Sequence, residues 1–367
     1  MTFKQFLKRI IPISYHKFDK QKKQLKEQIK EQKKEIKSLE KSQKTLLARI
    51  EKLEEQQKSM GKTVAANDRR SRDAFSRAKF AKLWVDDKIR MEKHDYYRDT
   101  PKRFYIQELS DWFMHVRGEK LELDNPVTYD QKIQWLKIFD STPLKTQLTD
   151  KYLVREWVAD KIGEKYLTKL LGVWDNFDDI DFNTLPDKFV LKATHGCGFN
   201  YIVTDKAAMN KSDARYKFKQ WMKVNYAYRW GMEPQYKNIK PRIIAEEYLE
   251  NDDHDLYDYK IWCFGGEPKY IQFLSERNTN GLKMAFYDTQ WNRQEFVYDH
   301  PRLNHEAEKP DNLDEMLEIA AKLAKDFCHV RVDLYHLNNG EIKFGEMTFT
   351  SCSGSCNWDP PEYNKIL

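Results

Sequence analysis

The sequence predicts an α+β fold that follows a long N-terminal helix and a further helical segment. Two observations support this prediction. Apolar residues recur in heptads over residues 25–60, and short apolar runs separated by Gly and Asn-Gly turns fill the chain beyond residue 185. With 367 residues, the chain is long enough for roughly two ordinary domains and an extension. Its composition, 14% aromatic and 33% charged, excludes a wholly disordered protein.

Charge is divided unevenly along the chain. Residues 1–90 contain 26 Lys and Arg against 12 Asp and Glu, and the remaining residues contain 38 against 46, so the two parts carry +14 and −8. A basic arm on an acidic body suggests that the arm contacts a polyanion or a membrane surface while the chemistry takes place elsewhere. We expect no nucleic-acid partner.

Cysteine usage and hydropathy indicate a cytoplasmic protein, with peripheral contact to the inner face of the membrane as an option. The cysteines are odd in number and form no CxxC pair, which is typical of a reducing compartment; they are Cys197, Cys263, Cys328, Cys352 and Cys356. No run approaches the roughly 20 apolar residues that a membrane span needs, and the N-terminus lacks the features of a signal peptide.

The first element is a basic amphipathic segment, residues 1–20. Its apolar residues follow helical spacing among Lys and Arg side chains: Phe3, Phe6, Leu7, Ile10 and Ile11. Such a helix either lies in a membrane interface or packs on another part of the protein, and the sequence leaves both options open.

The second element, residues 21–62, is predicted to be a coiled coil. Apolar residues recur at alternating steps of four and three, and glutamines fill the missing positions of the same register: Leu25, Ile29, Gln32, Ile36, Leu39, Gln43, Leu46, Ile50, Leu53, Gln57 and Met60. A strict 3.5-residue repeat holds one seam against a partner helix. We therefore expect a homo-oligomer, a dimer or a trimer; a lone solvated helix and a helix supplied by a partner protein are the alternatives.

Residues 63–124 are predicted to form a linker and a helical segment. The stretch 61–75 loses the heptads, and from there to about Leu171 the pattern is mainly helical. Aromatic and aliphatic residues at helical spacing predict a core here rather than a site: Trp84, Trp112, Phe113, Trp135, Leu136, Ile138, Trp157 and Val158.

The first chemical signal is a strand, a glycine-containing loop and a second strand in residues 185–203. The sequence LPDKFVLKATHGCGFN followed by YIV predicts a hairpin, and it matches neither the P-loop nor the dinucleotide-binding pattern. Glycines let backbone N–H groups approach phosphate oxygens, and Lys192 on the entering strand adds a positive charge. Taken alone, the signal is weak, because a Gly-x-Gly hairpin is more often only a turn.

Later segments place carboxylates on strands. Residues 241–249 (PRIIAEEYL) and 258–268 (DYKIWCFGGEP) each predict a strand, and the segments VRVDLY and IKFGEMT flank the turn Asn338-Asn339-Gly340, a strong hairpin signal. Asp333 and Glu346 then lie across from each other in the two arms. Carboxylate oxygens suit a Mg²⁺ that bridges phosphates, and a buried carboxylate pair without a cation would be costly.

These blocks resemble the ATP-grasp superfamily, and within it the TupA-like ATP-grasp family of bacterial surface-polysaccharide biosynthesis. The resemblance begins at NPVTYDQK (residues 125–132), passes through Asp150-Lys151 and ends at PPEY (residues 360–363), so that 125–367 is the predicted catalytic domain. It rests on the order of a lysine, the glycine-containing loop, EEYL, DYK, RVD and GEMTFT. It implies an ATP-grasp fold, in which two α+β subdomains grip ATP.

The resemblance also implies a nucleotide-binding role for each matching position. Lys151 and Lys192 look like the phosphate-binding lysines. A lid over the phosphates is implied for the loop that contains His195, Gly196, Gly198 and Asn200. The adenine contacts are the Glu246 carboxylate, the Glu247 carbonyl and the Leu249 amide, and Asp258 is the ribose candidate.

Catalytic and metal-binding roles follow in the same way. Asp333 and Glu346 match the Mg²⁺ ligands, and Arg331 and Lys260 meet the transferring phosphoryl group or the acceptor carboxylate. Thr348 stands where ATP-grasp enzymes commonly have Asn, and it is the candidate third ligand.

The implied activity is an ATP-dependent carboxylate–amine ligation through an acyl phosphate. Its partners are a uronic acid carboxylate of a surface polysaccharide and an amino acid or another amine. Two other functions are weighed against it: a glycosyltransferase of the same pathway, and a non-catalytic assembly protein built on the coiled coil. A zinc site of Cys197, His195, Cys352 and Cys356 is disfavoured, because their spacing fits no common zinc motif.

Overall fold

The computed structural model describes residues 102–251, 256–275 and 281–366, together with scattered positions between 20 and 55. The chain divides into two compact units, residues 1–81 and 82–367. In the first unit, the described positions are helical and exposed, whereas the predicted seam residues and the amphipathic segment 1–20, apart from Lys20, lie outside the described residues. The coiled coil, the membrane contact and the boundaries at 62 and 124 therefore stay predictions.

Four helices open the described part of the second unit: α1 (Lys102–Arg117), α2 (Tyr129–Phe139), α3 (Pro143–Thr149) and α4 (Val154–Ile162). Helix α2 begins at a capping box, in which Thr128 and Gln131 each bond the other's backbone N–H. Of the predicted helical core, Phe113, Ile138 and Val158 are buried. Trp135 is exposed instead, and its ring lies at a tilt against the exposed ring of Phe139 on the outer side of α2. Trp84 lies outside the described residues.

A four-stranded antiparallel sheet, here the small sheet, follows the helices. Its strands are β1 (Leu170–Trp174), β2 (Phe189–Ala193), β3 (Asn200–Val203) and β4 (Ile243–Glu247), in the order β1-β4-β2-β3. The predicted β2–β3 hairpin is confirmed. Helix α5 (Lys211–Trp221) lies in sequence between β3 and β4, and it buries Ala214, Phe218 and Trp221.

A five-stranded antiparallel sheet, here the large sheet, has the order β10-β9-β5-β6-β7. Its strands are β5 (Tyr257–Phe264), β6 (Glu267–Ser275), β7 (Lys283–Asp288), β9 (His329–His336) and β10 (Ile342–Thr348). Helix α6 (Leu313–Ala324) buries residues at steps of three and four against one face of this sheet, and the two together form the main core. The predicted hairpin around Asn338-Asn339-Gly340 is confirmed as β9–β10.

The C-terminal segment closes the unit. After β10, a short loop leads to β11 (Trp358–Asp359), which pairs with β8 (Val297–Tyr298), and the chain continues into α7 (Tyr363–Ile366). Aromatic side chains, among them Trp262, Phe296 and Trp358, fill the space beneath this pair of strands. The α+β architecture predicted from the sequence is confirmed. Among the described helices, none has the length and apolar character that a membrane span requires.

Candidate functional site

One face of the large sheet is polar because its strands alternate. On β9, Val330, Val332 and Leu334 point into the core under α6, so the residues between them point to the other face. Register then aligns three charged side chains in a row, since Asp333 is the direct partner of Lys260 on β5 and of Glu346 on β10. The pairing of Asp333 with Glu346 that the sequence predicted is confirmed.

Asp333 is held tightly by two cations. Arg331 makes a two-pronged contact with it, with Nε 2.6 Å from Oδ1 and Nη2 2.7 Å from Oδ2, and Lys260 Nζ lies 2.5 Å from Oδ2. Burial opposes ionisation of this carboxyl, but Arg331 and Lys260 outweigh that effect and hold its pKa below the usual range. Asp333 is therefore an anion at neutral pH although it is almost fully buried.

Glu346 is held more loosely. Its side chain is 35% exposed, and its nearest cations are Arg331 Nη2 at 3.6 Å and Lys151 Nζ at 3.9 Å. A bulge next to it, at Gly345, shifts the β9–β10 register, and a Cβ at Gly345 would come within 3.0 Å of the Asp333 carbonyl oxygen. The glycine thus permits the close approach that sets Glu346 beside Asp333.

Thr348 and Asp258 complete this face. The Thr348 hydroxyl accepts a hydrogen bond of 3.0 Å from Arg331 Nη2. Asp258 is buried, and its Oδ2 lies 2.9 Å from Lys260 Nζ, so Lys260 bridges Asp258 and Asp333. The predicted ribose candidate thus lies in the same charged group as the predicted metal ligand.

A second ion cluster lies on the small sheet. Lys192 and Glu246 are diagonal neighbours on β2 and β4, and their side chains meet at 2.6 Å. The other oxygen of Glu246 lies 2.7 Å from Arg155 Nη1, and Arg155 Nη2 donates to the Thr168 carbonyl. Glu246 is therefore a buried carboxylate between two cations. Beyond it, β4 ends at the exposed Glu247, and the chain continues through Leu249.

Lys151 connects the two sheets. Its Nζ donates to the Gly196 carbonyl at 2.7 Å while facing Glu346, so it joins the loop at residues 195–200, the glycine loop, to the large sheet. Buried Asp150 fixes the turn that carries this lysine: its Oδ1 accepts from the N–H groups of Tyr152 and Leu153, and its Oδ2 faces Arg242.

Within the glycine loop, the residues divide into buried and exposed positions. Gly198 and Asn200 are exposed, and Gly198 has a φ of +75°, a conformation that favours glycine. Gly196 is closely packed, since a Cβ there would come within 2.7 Å of Phe199 and Tyr226. His195 is buried, and its Nε2 lies 3.0 Å from the Trp221 carbonyl, so its imidazole packs beneath the loop; burial lowers its pKa to about 4.

Two further residues belong to the site that sequence reasoning missed. Arg155 lies in the first turn of α4, just after the turn that carries Lys151, and no motif in the sequence identifies it. Tyr335 lies on the same face of β9 as Asp333, two residues further along the strand. Burial and then the carboxylates of Asp258, Glu346, Asp333 and Glu246 raise the pKa of its phenol well above the usual range. Tyr335 thus lies within electrostatic reach of both ion clusters.

The donor set fits a magnesium–nucleotide complex. Glu346 is ionisable, partly exposed and free of any tight ion pair, Asp333 is ionised beside it, and Thr348 adds a neutral oxygen; Mg²⁺ prefers such oxygen ligands. Four cationic side chains lie near these ligands or near the glycine loop, and side chains of this kind bind phosphate oxygens. They are Lys151, Lys192, Lys260 and Arg331.

This chain resembles one known family in sequence and several solved proteins in fold. A family model described as TupA-like ATPgrasp matches residues 131–367. None of the curated proteins compared matches the sequence. Similar solved structures include an L-amino acid ligase from Bacillus licheniformis (12% identity, 59% of this chain and 47% of that chain, TM-score 0.37) and a D-alanine–D-alanine ligase from Bacillus anthracis complexed with ATP (14%, 55% and 55%, 0.35). Another is an N5-carboxyaminoimidazole synthetase from Staphylococcus aureus (13%, 55% and 44%, 0.32), so the chain spans about half the length of these solved proteins.

Proposed function

Since this chain belongs to the TupA-like ATP-grasp family, we propose that it is an ATP-dependent ligase that joins a carboxylate to an amine through an acyl phosphate. The observation that carries the proposal is the row Lys260–Asp333–Glu346, with Arg331 and Lys151 beside it. A row of this kind combines carboxylates for a cation with cations for phosphoryl oxygens.

In this proposal, the small sheet and the glycine loop bind the nucleotide. Lys151 and Lys192 contact its phosphates, and the backbone of residues 195–200 covers them. The Glu246 carboxylate, the Glu247 carbonyl and the Leu249 amide contact the adenine. Arg155 orients Glu246 from behind, because it contacts one oxygen and leaves the other for Lys192.

Asp333, Glu346 and Thr348 are the residues that would hold Mg²⁺. When bound, Mg²⁺ neutralises charge on the phosphoryl oxygens of ATP. Arg331 and Lys260 both contact Asp333. A cation held by Asp333 would compete with them for its oxygens, and both side chains would then be able to meet the transferring phosphoryl group or the acceptor carboxylate. Asp258 keeps Lys260 close by when its contact with Asp333 is lost.

The proposed reaction has two steps. An oxygen of the acceptor carboxylate attacks the γ-phosphorus of ATP, the bond to the β–γ bridging oxygen breaks, and ADP leaves with its electron pair. The amine nitrogen then attacks the acyl carbon, phosphate leaves with the electrons of the C–O bond, and the nitrogen loses a proton to give the amide. The glycine loop excludes water, which would otherwise hydrolyse the acyl phosphate.

For the substrates, we propose a uronic acid carboxylate of a capsular or cell-wall polysaccharide and an amino acid or another small amine. The support is the family's association with surface-polysaccharide biosynthesis. Residues 91–367 carry a net charge of −8, which would repel an anionic substrate. In this proposal, the acceptor carboxylate binds despite that charge, because it meets Arg331 and Lys260 inside the site.

The experiment that tests this function measures ADP release from ATP and Mg²⁺ with a panel of uronates and amines. Matched neutral sugars, which lack only the carboxylate, serve as controls. The expected result is ADP formation that depends on both the uronate and the amine, and transfer of one ¹⁸O from a labelled carboxylate to the released phosphate. Turnover with the neutral sugars, or an amide formed without ¹⁸O in the phosphate, would contradict the acyl-phosphate route.

A further inference from the structure

We propose that Asp299, Cys352 and Cys356 form a second cation site, specific for a thiophilic divalent ion of the zinc class. One carboxylate oxygen and two sulfur atoms from these residues lie within 4.8 Å of one another. This set differs from the one considered on sequence spacing alone, because Cys197 and His195 lie in the glycine loop and are not part of it. The site is also distinct from the Asp333–Glu346 pair, which offers only oxygen ligands.

The two-stranded sheet brings the three residues together. Asp299 directly follows β8, and Asn357 directly precedes β11, the strand that pairs with β8. Asn357 donates to Asp299 Oδ1 through its backbone N–H at 3.2 Å and its side-chain Nδ2 at 2.7 Å. These bonds orient the carboxylate, and no described residue donates to Oδ2, which is therefore available to a cation.

The loop that carries the cysteines is fixed from behind. Cys352, Ser353 and Gly354 all have positive φ values of 48°, 55° and 61°, a conformation that two non-glycine residues adopt only when the surroundings hold them there. Buried Lys137 donates to the Ser353 carbonyl at 2.8 Å and to its hydroxyl at 2.7 Å, and Gln134 Nε2 donates to the Gly354 carbonyl at 2.8 Å. The loop is thus held in place without any metal.

The ligand types determine which ion this site would bind. Two thiolates and one carboxylate are ligands for Zn²⁺ and related ions, and two sulfur ligands at about 2.3 Å from a tetrahedral zinc lie about 3.7 Å apart, within the separation found here. Cys356 is buried, whereas Cys352 and Asp299 are exposed, so the fourth position faces solvent. An ion here would have three protein ligands and one water.

The site has a consequence for the neighbouring polar face. Ser351 precedes Cys352, is fully buried, and its hydroxyl lies 3.5 Å from Arg331 Nη1. A cation bound by Asp299, Cys352 and Cys356 would therefore link this loop to the end of β8 at a position one residue from the side chain that contacts Arg331. The ion is a structural tether of residues 350–356, and it takes no part in the transfer itself.

The experiment titrates the reduced full-length protein with Co²⁺, a spectroscopic substitute for Zn²⁺, and then displaces it with Zn²⁺. The expected result is one ion per chain, with a thiolate-to-cobalt charge-transfer band and tetrahedral ligand-field bands. Cys352→Ser should weaken binding at least about tenfold and reduce the charge-transfer intensity, because a ligand is lost. Asp299→Asn should weaken binding while the charge-transfer band stays, and Cys328→Ser, which changes an exposed cysteine elsewhere, should match the wild type.

The readout needs neither ATP nor turnover, so it is independent of the proposed ligase activity. Circular dichroism of each variant shows whether the fold is retained. The proposal is overturned if the reduced wild-type protein shows no charge-transfer band with Co²⁺, if the band is unchanged in Cys352→Ser, or if mass spectrometry of protein kept under reductant shows a Cys352–Cys356 disulfide in place of bound metal.

Discussion

Glu346 and Asp333 are neighbours with different environments, and the difference decides which of them tests the metal site. Asp333 is buried and bonded to Arg331 and Lys260, so replacing it would remove the nearest carboxylate of Arg331 and one of the two carboxylates that contact Lys260. Glu346 is partly exposed, and its nearest cations are 3.6 and 3.9 Å away. A change at Glu346 therefore separates chemistry from folding.

We predict that Glu346→Gln reduces kcat at least about a hundredfold, because an amide is a poor Mg²⁺ ligand and phosphoryl charge is then less well neutralised. The free energy of unfolding should change by no more than about 0.5 kcal/mol. Steady-state ADP release and urea denaturation measure the two effects. Glu341→Gln, on the same hairpin but exposed and paired only with Lys343, is the matched control and should leave both unchanged. Normal turnover in Glu346→Gln would show that the metal assignment is wrong.

Buried histidines predict how stability depends on pH. Burial lowers the pKa of His195 and of His329 from an ordinary 6.5 to about 4. At pH 5 both imidazoles are therefore neutral in the folded protein, whereas they are protonated in the unfolded chain. Their contribution to the free energy of unfolding is fully present above pH 6.5 and is lost as the pH falls toward 4. For each, the loss between pH 7.5 and 5 is about 2 kcal/mol.

Other buried groups act in the opposite direction, so the prediction is made as a difference. Burial raises the pKa of Asp130 to about 6, and this group stabilises the fold as the pH falls. We therefore compare the free energy of unfolding of the wild type with that of His195→Gln, by urea denaturation at pH 7.5 and at pH 5. The contribution of Asp130 is the same in both proteins, so it cancels in the difference. The variant should lose about 2 kcal/mol less than the wild type over this interval; an identical loss in both proteins would show that His195 is protonated in the fold.

At the scale of elements, the glycine loop and the β5–β6 turn each contain a glycine with a positive φ. Gly198 has a φ of +75°, and a Cβ added there would have no atom within 4 Å. Gly265, in the β5–β6 turn, has a φ of +59° and the same open space. An alanine at either position meets backbone strain alone, of about 1–2 kcal/mol. The two glycines thus differ only in location.

We predict that Gly198→Ala raises the KM for ATP, whereas Gly265→Ala does not, although both lower stability to a similar degree. The reason is that strain at Gly198 displaces the backbone N–H groups that would cover the phosphates. Initial-rate kinetics over a range of ATP concentrations and thermal denaturation measure the two quantities. Equal KM values for the two variants would mean that the loop does not contact the nucleotide.

Local sequence signals predicted the two hairpins, but they did not predict which strands pair when those strands are distant in sequence. The turn at Asn338-Asn339-Gly340 and the alternation around it were sufficient to place Asp333 opposite Glu346, because both signals are local. The insertion of β4 between β1 and β2, which creates the Lys192–Glu246 contact, depends on pairing between segments about 50 to 70 residues apart. No short motif encodes that pairing.

The direction in which a side chain points was the other feature that could not be predicted from the sequence. His195 lies in the predicted lid, yet its ring packs against α5 because the Trp221 carbonyl provides a hydrogen-bond partner there. Asp299 carries no motif at all; it meets Cys352 and Cys356 only because β8 pairs with β11. In both cases, a contact distant in sequence decides what the residue faces.

The whole chain combines a basic N-terminal region with an acidic remainder, of +14 and −8, and the matched family covers only residues 131–367. All the charged residues of the polar site lie between Lys151 and Glu346, within that match. Oligomerisation and nucleotide binding should be separable.

We predict that Leu46→Asp, which places a charge in the predicted seam, lowers the mass in solution toward that of one chain while leaving the affinity for ATP unchanged. A buried charge without a partner opposes helix pairing, whereas the same change at a solvated position costs little. Lys44→Asp is the matched control, because Lys44 is two residues away, helical and exposed. Light scattering measures the mass, and calorimetric titration measures ATP binding. If Leu46→Asp keeps the wild-type mass, the heptads do not join the chains, and an oligomer would have to form through residues outside 21–62.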